Sequence, residues 1–382
     1  MLPEQVRGTC DALLIFADVI DSSKFSAVLE YETYAERIIE FQGHFDLLAR
    51  RYFRTDAADE KRYLAVNVRG DEGTVFVVAP DNPSDLVLRA VSFLYHLKGR
   101  LSFAGPVVTT PGNAPSRIGI GAGVHFGRVA YATKVETGRS LISRIEGYSI
   151  NYAKRVESCS RLGHHSQILL SQDAVRLLEG QPIAVSHLVA PMKGIQETAD
   201  LYEVRAALLS GLMMDPSDAG DEAMISTITN GASDPTALGD PWTRTLAMSV
   251  LDVLLARTPV AQLRTDYRRL QLRLAWYGSA ERDPVLLYAR AKHLSQKRLF
   301  SHQARYLREI AQSHPDFVPA RKRLVEACWA LAKTGAERDD LAFARDVAME
   351  FLEHFDRLLT PEERKKYQAI VKSAGRGKKP GK

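Results

Sequence analysis

The sequence predicts an α+β fold, with a mixed, mainly antiparallel sheet flanked by helices and an all-α C-terminal domain. Three observations support this fold class. Short apolar runs typical of buried strands alternate with helical patterns in the first half of the chain. Two of the runs flank Arg69-Gly70-Asp71-Glu72-Gly73, which is typical of a hairpin and therefore of antiparallel pairing. After about Ala206 the pattern is almost wholly helical.

Each element of the first half follows from its own pattern. Ala12–Val19 is a brief apolar run that predicts a buried strand. Tyr34–Tyr52 repeats apolar residues at helical spacing and predicts an amphipathic helix. The hairpin strands are Tyr63–Val68 and Thr74–Val78. The remaining predicted elements are a helix at Pro83–Leu101, a strand pair at Arg117–Val124 and Arg128–Tyr131 around Phe126-Gly127, a helix at Ser149–Leu162, a strand at Gln167–Ser171, a short helix at Gln172–Leu178 and a closing strand at Asp200–Val204.

Changes in composition divide the chain into three parts. Residues 1–205 form the predicted α+β domain, and residues 206–238 form a predicted linker, because Met214–Ala237 is rich in Asp, Gly, Ser, Thr and Pro. Residues 239–382 form a predicted helical domain with a basic tail. Small residues recur on its helices, which fits a tetratricopeptide-like array, but no clean period emerges and a plain helical bundle fits equally well. Its helix candidates are Ala304–Ile310, Pro319–Leu331 and Leu341–Phe355.

The composition excludes several classes of protein. The 382 residues are 45% hydrophobic and 25% charged, an ordinary globular profile. A net charge of +5 is mild and partly lies in a solvated basic tail, so we expect neither a nucleic-acid nor a membrane partner. The run Ala12–Ile20 is short and interrupted by Asp18, so we expect no signal peptide and no membrane span. Three distant cysteines indicate a reducing, cytoplasmic setting: Cys10, Cys159 and Cys328.

Two carboxylates occur where predicted strands end. Asp18 follows a buried strand and precedes Ser22 and Ser23, whose backbone N–H groups could contact phosphate oxygens at the turn into a helix. Asp71 lies at the hairpin tip beside Gly70. Alone, each aspartate fits an ordinary cap or turn residue. If both lie at one edge of the same sheet, their oxygens would suit Mg²⁺ and a bound phosphate.

Asn151 and Arg155 lie four residues apart in a predicted helix, so they share one face. The planar guanidinium of Arg155 suits a phosphate, and Asn151 could orient a ribose. A polar surface pair is the commoner alternative for any single pair of this kind.

Together these motifs resemble the class III nucleotidyl cyclases, the family of adenylate and guanylate cyclases. The resemblance covers about residues 10 to 205, and the motifs occur in the family's order. The matching segments are Phe16-Ala17-Asp18-Val19-Ile20, Gly70-Asp71, the small-residue strand Arg117 to Val129, Gly147 with Ile150-Asn151, Ala153 and Arg155, and Lys193-Gly194 before Leu201-Tyr202-Glu203-Val204.

The resemblance implies a cytoplasmic enzyme acting on a nucleoside triphosphate. It implies that Asp18, Asp71 and the Val19 carbonyl bind two Mg²⁺ or Mn²⁺ ions in each active site. It also implies that Asn151, Arg155 and Lys193 act on the substrate from the other chain. A homodimer with active sites at the subunit interface follows from this division of roles.

Two positions depart from both purine-specific patterns of the family. Adenylate cyclases place Lys and Asp, and guanylate cyclases place Glu and Cys, where this chain has Asn67 and Arg144. Arg144 can only donate hydrogen bonds, so it requires a base carbonyl, whereas Asn67 can donate and accept. This favours a pyrimidine, and UTP over CTP, with cyclic UMP as the product. The arrangement resembles the pyrimidine cyclases of the bacterial antiphage Pycsar systems.

Several alternatives stay open. Arg144 could instead be a surface residue paired with Glu146 or Glu157. The domain could make cyclic CMP or cyclic AMP. It could also be a catalytically silent nucleotide-binding domain that regulates the helical half. The helical half itself could bind a protein partner.

Overall fold

The computed structural model describes residues 7–53, 63–78, 82–103, 119–136, 139–192, 194, 198–209, 211–233, 238, 240–280, 283–315, 317–333 and 338–374. The chain divides into two compact units. The first comprises Met1–Leu178 and Val185–Leu270, and the second comprises Glu179–Ala184 and Gln271–Lys382.

An eight-stranded sheet occupies the first half of the chain. Its strands are β1 (Arg7–Val19), β2 (Tyr63–Arg69), β3 (Glu72–Val78), β4 (Ile120–Glu136), β5 (Arg139–Glu146), β6 (Ile168–Ser171), β7 (Ile183–Pro191) and β8 (Thr198–Ala207). They lie in the order β2-β3-β1-β4-β6-β8-β7, with β5 paired to β4 beside this path. The β4–β6 pair is parallel, whereas β1 with β3, β1 with β4, β2 with β3, β4 with β5 and β6 with β8 are antiparallel. The predicted mixed, mainly antiparallel sheet is therefore confirmed.

Strand β1 lies in the middle of the sheet. It pairs with β3 on one side and with β4 on the other. Its residues Leu13, Leu14 and Ile15 are fully buried, which explains why β1 is a continuous apolar run rather than an alternating one. The last two residues of the strand are Asp18 and Val19, and Asp18 lies opposite Glu72 of β3.

The predicted strand pair around Phe126-Gly127 is wrong. Strand β4 continues through both residues and pairs with β1 along its length. Gly127 serves close packing rather than a turn, because a Cβ there would lie 2.5 Å from Nε2 of His125 and 2.7 Å from Oγ of Ser149. The hairpin partner of β4 is β5 instead.

Helices alternate with the strands in the first half of the chain and continue alone to the end of the described chain, so the predicted helical C-terminal region is confirmed. Short 3₁₀ turns lie at Ser160–Leu162 and Asp356–Leu358. None of the described helices is long and apolar enough to cross a lipid bilayer. The helices are α1 (Ser22–Val28), α2 (Tyr31–Phe53), α3 (Pro83–Phe103), α4 (Tyr148–Ser158), α5 (Gln172–Leu177), α6 (Ala219–Ser233), α7 (Pro241–Arg257), α8 (Ala261–Ala280), α9 (Pro284–Gln296), α10 (Phe300–Ser313), α11 (Val318–Lys333), α12 (Arg338–His354) and α13 (Pro361–Ala374).

Helix α6 lies within residues 206–238, which we expected to form a linker. The segment is polar in composition, but Met224 and Ile228 are fully buried, and α6 packs against α3 and α7. Burial of these apolar side chains stabilises a helix whose local sequence resembles a linker. The division of the chain into independent domains at residues 205 and 239 stays a prediction.

A buried ionic network fastens α6 to the helices before it. The fully buried Asp221 carboxylate accepts hydrogen bonds from Nε2 of His96 at 2.5 Å, Nε of Arg100 at 2.8 Å, Nη1 of Arg51 at 2.7 Å and the Asp215 backbone N–H at 2.7 Å. A buried carboxylate is stable when several donors surround it in this way.

The Asp221 carboxylate fixes the tautomer of His96, because it can only accept and Nε2 must therefore donate to it. The Tyr52 hydroxyl accepts from the Met213 backbone N–H at 2.9 Å and lies 3.1 Å from Nδ1 of His96, to which it can donate. The proton of the ring therefore lies on Nε2, where it points to Asp221. Burial lowers the pKa of His96, which agrees with a neutral ring.

In the second unit, the helices from α9 to α13 pack against one another in chain order. Their cores use buried Leu307, Leu324 and Phe351. Sequential packing of this kind suits both alternatives that the sequence left open, a helical-repeat array and a bundle.

Candidate active site

The turn between β2 and β3 holds Asp71 beside the end of β1. Gly70 has φ of 60°, a left-handed conformation that favours glycine and makes the turn tight. The Val19 backbone N–H donates to the Asp71 carbonyl at 3.0 Å. The hydroxyl of Ser22, at the start of α1, donates to the Asp71 carboxylate. From α2, the Gln42 amide donates to the Gly70 carbonyl at 2.9 Å.

Asp18 places a second carboxylate at the same edge. The pKa of Asp18 is raised to about 6, first by burial and then by the negative charges of Glu157 and Asp71, against the opposing charges of Lys154 and Arg161. The backbone of Val19, the residue after Asp18, hydrogen-bonds to the Asp71 carbonyl, so the two aspartates lie at the same edge of the sheet, and the Asp71 charge contributes to the raised pKa of Asp18. The structure therefore brings together the pair of aspartates that the sequence suggested.

Two cations from the region of α4 accompany the aspartates, and the sequence did not reveal them. Nζ of Lys154 lies 2.5 Å from Glu72 and 2.9 Å from Glu157. Nη2 of Arg161, on the 3₁₀ turn after α4, lies 3.7 Å from Oδ2 of Asp18. The helical spacing of Lys154 and Glu157 is visible in the sequence, whereas Glu72 comes from the distant hairpin and is not.

Small residues in β4 allow α4 to lie directly on the sheet. A Cβ at Gly123 would overlap the backbone of Glu157, and one at Gly121 would overlap the Ser160 hydroxyl. The glycines of this strand therefore leave space for α4, and for the turn that follows it, to pack closely on the sheet. This close packing of α4 on β4 brings Lys154 and Arg161 near the aspartates.

Asn151 and Arg155 lie on α4, one helical turn apart. Asn151 is exposed and Arg155 half-buried. The cations that shift the pKa of Asp18 are Lys154 and Arg161, and Arg155 is not among them. The roles of Asn151 and Arg155 at the carboxylate pair therefore stay predictions.

The two residues expected to recognise the base lie on β2 and β5. Asn67 is exposed, and its backbone carbonyl accepts a hydrogen bond from the Thr74 hydroxyl at 3.3 Å. The Arg144 side chain is 74% exposed, and its Nε lies 2.5 Å from Glu146. This ion pair is one of the alternatives that the sequence left open, and the role of Arg144 in base recognition stays a prediction.

The remaining predicted site residues are Ser22, Ser23 and Lys193. Ser22 is buried against Asp71, as described, whereas Ser23 is exposed and its carbonyl accepts from the Ser26 hydroxyl at 2.9 Å. Lys193 lies outside the described residues. Roles for Ser22, Ser23 and Lys193 in substrate binding therefore stay predictions.

His125 is a buried histidine of β4 that the sequence analysis did not single out. Its Nδ1 lies 2.9 Å from the Ser171 hydroxyl, and its ring centroid lies 4.8 Å from that of Tyr152 on α4. Burial lowers the pKa of His125 to about 4, so the ring is neutral near pH 7. His125 of β4 thus packs against α4 through the ring of Tyr152.

The donor set fits hard divalent cations. Within the described part of the chain, no three His, Cys, Asp or Glu side chains are grouped so that they could hold a metal ion alone. Asp18 and Asp71 supply two carboxylates, and Mg²⁺ is commonly bound by one or two carboxylates together with water and substrate phosphates. The residues present therefore fit Mg²⁺ or Mn²⁺ bound together with a polyphosphate.

A cavity of about 460 Å³ lies near this edge. Its wall includes Gly119, whose carbonyl accepts from the Ile20 N–H at 3.0 Å, two residues beyond Asp18. The buried Lys98 also lines it and donates to the Ser166 carbonyl at 2.5 Å. Burial lowers the pKa of Lys98 to about 8.

Solved structures with similar folds are nucleotide cyclases. The chain is similar to the adenylyl cyclase CyaB from P. aeruginosa, with 19% identity, a TM-score of 0.41 and coverage of 52% of this chain and 95% of that one. It is similar to the guanylate cyclase domain of RhGC from Catenaria anguillulae in complex with GTP, with 18% identity, a TM-score of 0.38 and coverage of 52% and 99%. A dimeric guanylyl cyclase domain of the RhoGC fusion protein from Blastocladiella emersonii gives 18% identity, a TM-score of 0.37 and coverage of 53% and 97%. No family model matches the chain, and no curated protein matches it.

Proposed function

We propose that this chain is a nucleotidyl cyclase that converts a nucleoside triphosphate into its 3′,5′-cyclic monophosphate and pyrophosphate. The favoured substrate is UTP, followed by CTP. The observation that carries the proposal is the carboxylate pair of Asp18 and Asp71. The hairpin turn, Ser22 and Gln42 hold this pair at one edge of the sheet. Lys154 and Arg161 oppose the charge of the pair, while burial keeps the pKa of Asp18 raised.

In the proposed reaction the ribose 3′-oxygen attacks the α-phosphorus, the bond from that phosphorus to the β-phosphate oxygen breaks, and the 3′-hydroxyl proton is released. Asp18, Asp71 and the Val19 carbonyl would hold two Mg²⁺ or Mn²⁺ ions. When bound, such ions supply Lewis acidity to the 3′-hydroxyl and neutralise charge on the pyrophosphate. The chain itself contributes two carboxylates in fixed positions, which align the phosphates for the reaction.

The remaining contacts would come from a second copy of the chain. In a homodimer, Asn151 of one copy would orient the ribose bound by the other copy's aspartates. Arg155 would donate to the α-phosphate oxygens, where negative charge develops, and Lys193 would face the pyrophosphate. Asn151 is exposed and Arg155 is half-buried on α4, so both side chains are accessible to a second chain, which supports this division of roles.

The choice of base rests on Asn67 and Arg144. A guanidinium donates only, so it favours a base that presents a carbonyl, and the amide of Asn67 can meet both the N3–H and a carbonyl of uracil. The cyclic pyrimidine nucleotide would then act as a second messenger in antiphage defence. This biological role rests on the resemblance of the sequence to the Pycsar cyclases.

One experiment tests the activity. The purified full-length protein is incubated with Mn²⁺ and each of the four ribonucleoside triphosphates, and any cyclic product is identified by mass spectrometry. Cyclic UMP is the expected product. Cyclic AMP alone would refute the choice of base, and no product from any nucleotide would favour a silent, nucleotide-binding domain.

The matched variants are Asp71→Ala and Asp46→Ala. Asp71→Ala should reduce turnover at least a hundredfold, because the carboxylate pair would lose one member. Asp46 is an exposed carboxylate that pairs with Arg50 on α2, so its loss should leave turnover unchanged. Activity that survives in Asp71→Ala would exclude the metal assignment.

A further inference from the structure

Arg161 is the cation that lies directly against Asp18. It belongs to the 3₁₀ turn after α4, and its neighbour Ser160 is fixed in that turn because it is buried against Gly121 of β4. The backbone of the turn is therefore anchored, whereas the Arg161 side chain is 57% exposed.

The contact between Arg161 and Asp18 is loose. The guanidinium nitrogen lies 3.7 Å from the carboxylate oxygen, beyond the distance of a good charge-assisted hydrogen bond. An exposed ion pair of this kind contributes little to stability. The side chain can therefore leave Asp18 at little cost.

Lys154 does not share this freedom. Its ammonium lies 2.5 Å from Glu72 and 2.9 Å from Glu157, so two carboxylates already hold it. Among the described residues, Asp18 is the carboxylate with which Arg161 forms an ion pair. When Asp18 engages a metal ion, the guanidinium loses that carboxylate as a partner.

We propose that Arg161 is a substrate-binding residue that donates to the β- and γ-phosphate oxygens of the triphosphate held by the aspartates of its own chain. This inference rests on the proposed function. A triphosphate and two aspartates carry more negative charge than two divalent ions neutralise, so a cation of the same chain at this edge adds to the neutralisation proposed for Arg155 and Lys193. The planar, forked guanidinium matches phosphate oxygens better than an ammonium does.

Equilibrium binding to the full-length protein tests the proposal. The probes are α,β-methylene-UTP and α,β-methylene-ATP with Mn²⁺, the matching monophosphates UMP and AMP with Mn²⁺, and Mn²⁺ alone. The variants are Arg161→Ala and Arg161→Lys. Arg176→Ala is the control, because Arg176 forms an ion pair of the same length, 3.7 Å with Asp173, and is 67% exposed.

Arg161→Ala should weaken binding of the triphosphate analogue roughly tenfold and binding of the monophosphate less than twofold, as expected for one exposed charge-assisted contact. Arg161→Lys should restore part of the loss. Affinity for Mn²⁺ alone should stay the same or increase, because a cation that competes for Asp18 is gone. Arg176→Ala should match the wild type throughout.

Two results would overturn the proposal. The first is a triphosphate affinity in Arg161→Ala equal to that of Arg176→Ala. The second is an equal loss for triphosphate and monophosphate, which would indicate a purely structural role. If the wild type makes a cyclic product while either result holds, the error lies in Arg161 alone. A wild type that neither binds a triphosphate nor cyclises one refutes both proposals.

Discussion

In the proposed function, the choice of base depends on Arg144. Arg144→Ala should reduce discrimination among the four triphosphates about tenfold, because one hydrogen bond from a charged donor to the base would be lost. Turnover of the best substrate should fall less than this. The measurement is kcat/KM for each nucleotide.

Glu146→Ala is the matched variant for Arg144. It removes the carboxylate that pairs with Arg144 but keeps the guanidinium, so it should preserve base preference. If Arg144→Ala slows all four nucleotides equally, or changes nothing, Arg144 is the surface residue that the sequence also allowed.

His125 makes a prediction about pH. Its folded pKa of about 4 lies below the ordinary value of 6.5, so the unfolded chain binds the proton more tightly. The folded state therefore loses stability as pH falls below about 6.5. Between pH 7.5 and 5 this group alone should account for a loss of about 2 kcal/mol.

The check is the free energy of unfolding in urea at pH 7.5 and pH 5, for the wild type and for His125→Gln. Glutamine can keep a hydrogen bond to Ser171 but does not titrate. The variant should be less stable at pH 7.5 and should lose about 2 kcal/mol less than the wild type on acidification. Equal losses would mean that His125 titrates normally in the folded protein.

At the level of residues, the sequence revealed groups with a local signature and missed those with distant partners. Asp18 follows an apolar run and Asp71 sits in a glycine turn, so both are visible in a few residues of sequence. Lys154 gains its role from Glu72, which is 82 residues away. Arg161 likewise becomes notable only because the fold places it against Asp18.

Helix α4 depends on the absence of a side chain at Gly123. Gly123→Ala should destabilise the fold by about 1–3 kcal/mol, because the new Cβ overlaps the backbone of Glu157 and α4 must move. The free energy of unfolding in urea measures the effect. The movement should also lower any cyclase activity, since α4 carries Asn151 and Arg155.

Gly43→Ala is the control for this substitution. Gly43 lies in α2, and a Cβ there meets no atom within 4 Å. Alanine should therefore stabilise the helix by about 0.5–1 kcal/mol, through its better helix propensity. A Gly123→Ala protein as stable as Gly43→Ala would contradict the close packing of α4 on β4.

At the level of elements, the sequence predicted strands and helices with strong periodicity and failed where a residue had a tertiary role. Phe126-Gly127 resembles a turn because glycine is usually a turn residue, but here it makes room for His125 and Ser149. Strands β5 and β7 were not predicted at all. Helix α6 was taken for a linker, because its polar composition does not show the network around Asp221.

Asp221 is the centre of that network. Asp221→Ala should destabilise the protein by about 3–5 kcal/mol, because Arg100 and Arg51 would lose the carboxylate between them in a buried setting. Its exposed neighbour Glu222 is the control, and Glu222→Ala should change stability by less than about 0.5 kcal/mol. The measurement is the free energy of unfolding of both variants in urea. Similar values for the two variants would mean that the network contributes little to stability.

For the whole molecule, the division of the site between two chains predicts complementation. Asp71→Ala removes a carboxylate from one side of each site, and Arg155→Ala removes a guanidinium from the other. A mixed dimer of the two variants has one site with both losses and one intact site. Equal mixing should therefore restore about a quarter of the wild-type rate per dimer if subunits exchange freely.

Asp71→Ala mixed with Asp18→Ala is the control for complementation. Both substitutions affect the same side of the site, so no mixed dimer contains an intact site and activity should stay absent. Recovery in this mixture, or none in the first after subunit exchange has been verified, would argue against sites shared between two chains.

The position of Asp221 decides where the molecule can be trimmed. An excised fragment that stops at residue 205 would keep Arg51, His96 and Arg100 but lose the carboxylate on which all three converge. The guanidinium groups of Arg51 and Arg100 would then lie in a partly exposed core without this carboxylate to balance their charge. A fragment that extends to Arg257, the end of α7, keeps the Asp221 carboxylate and also keeps α7, which packs against α6.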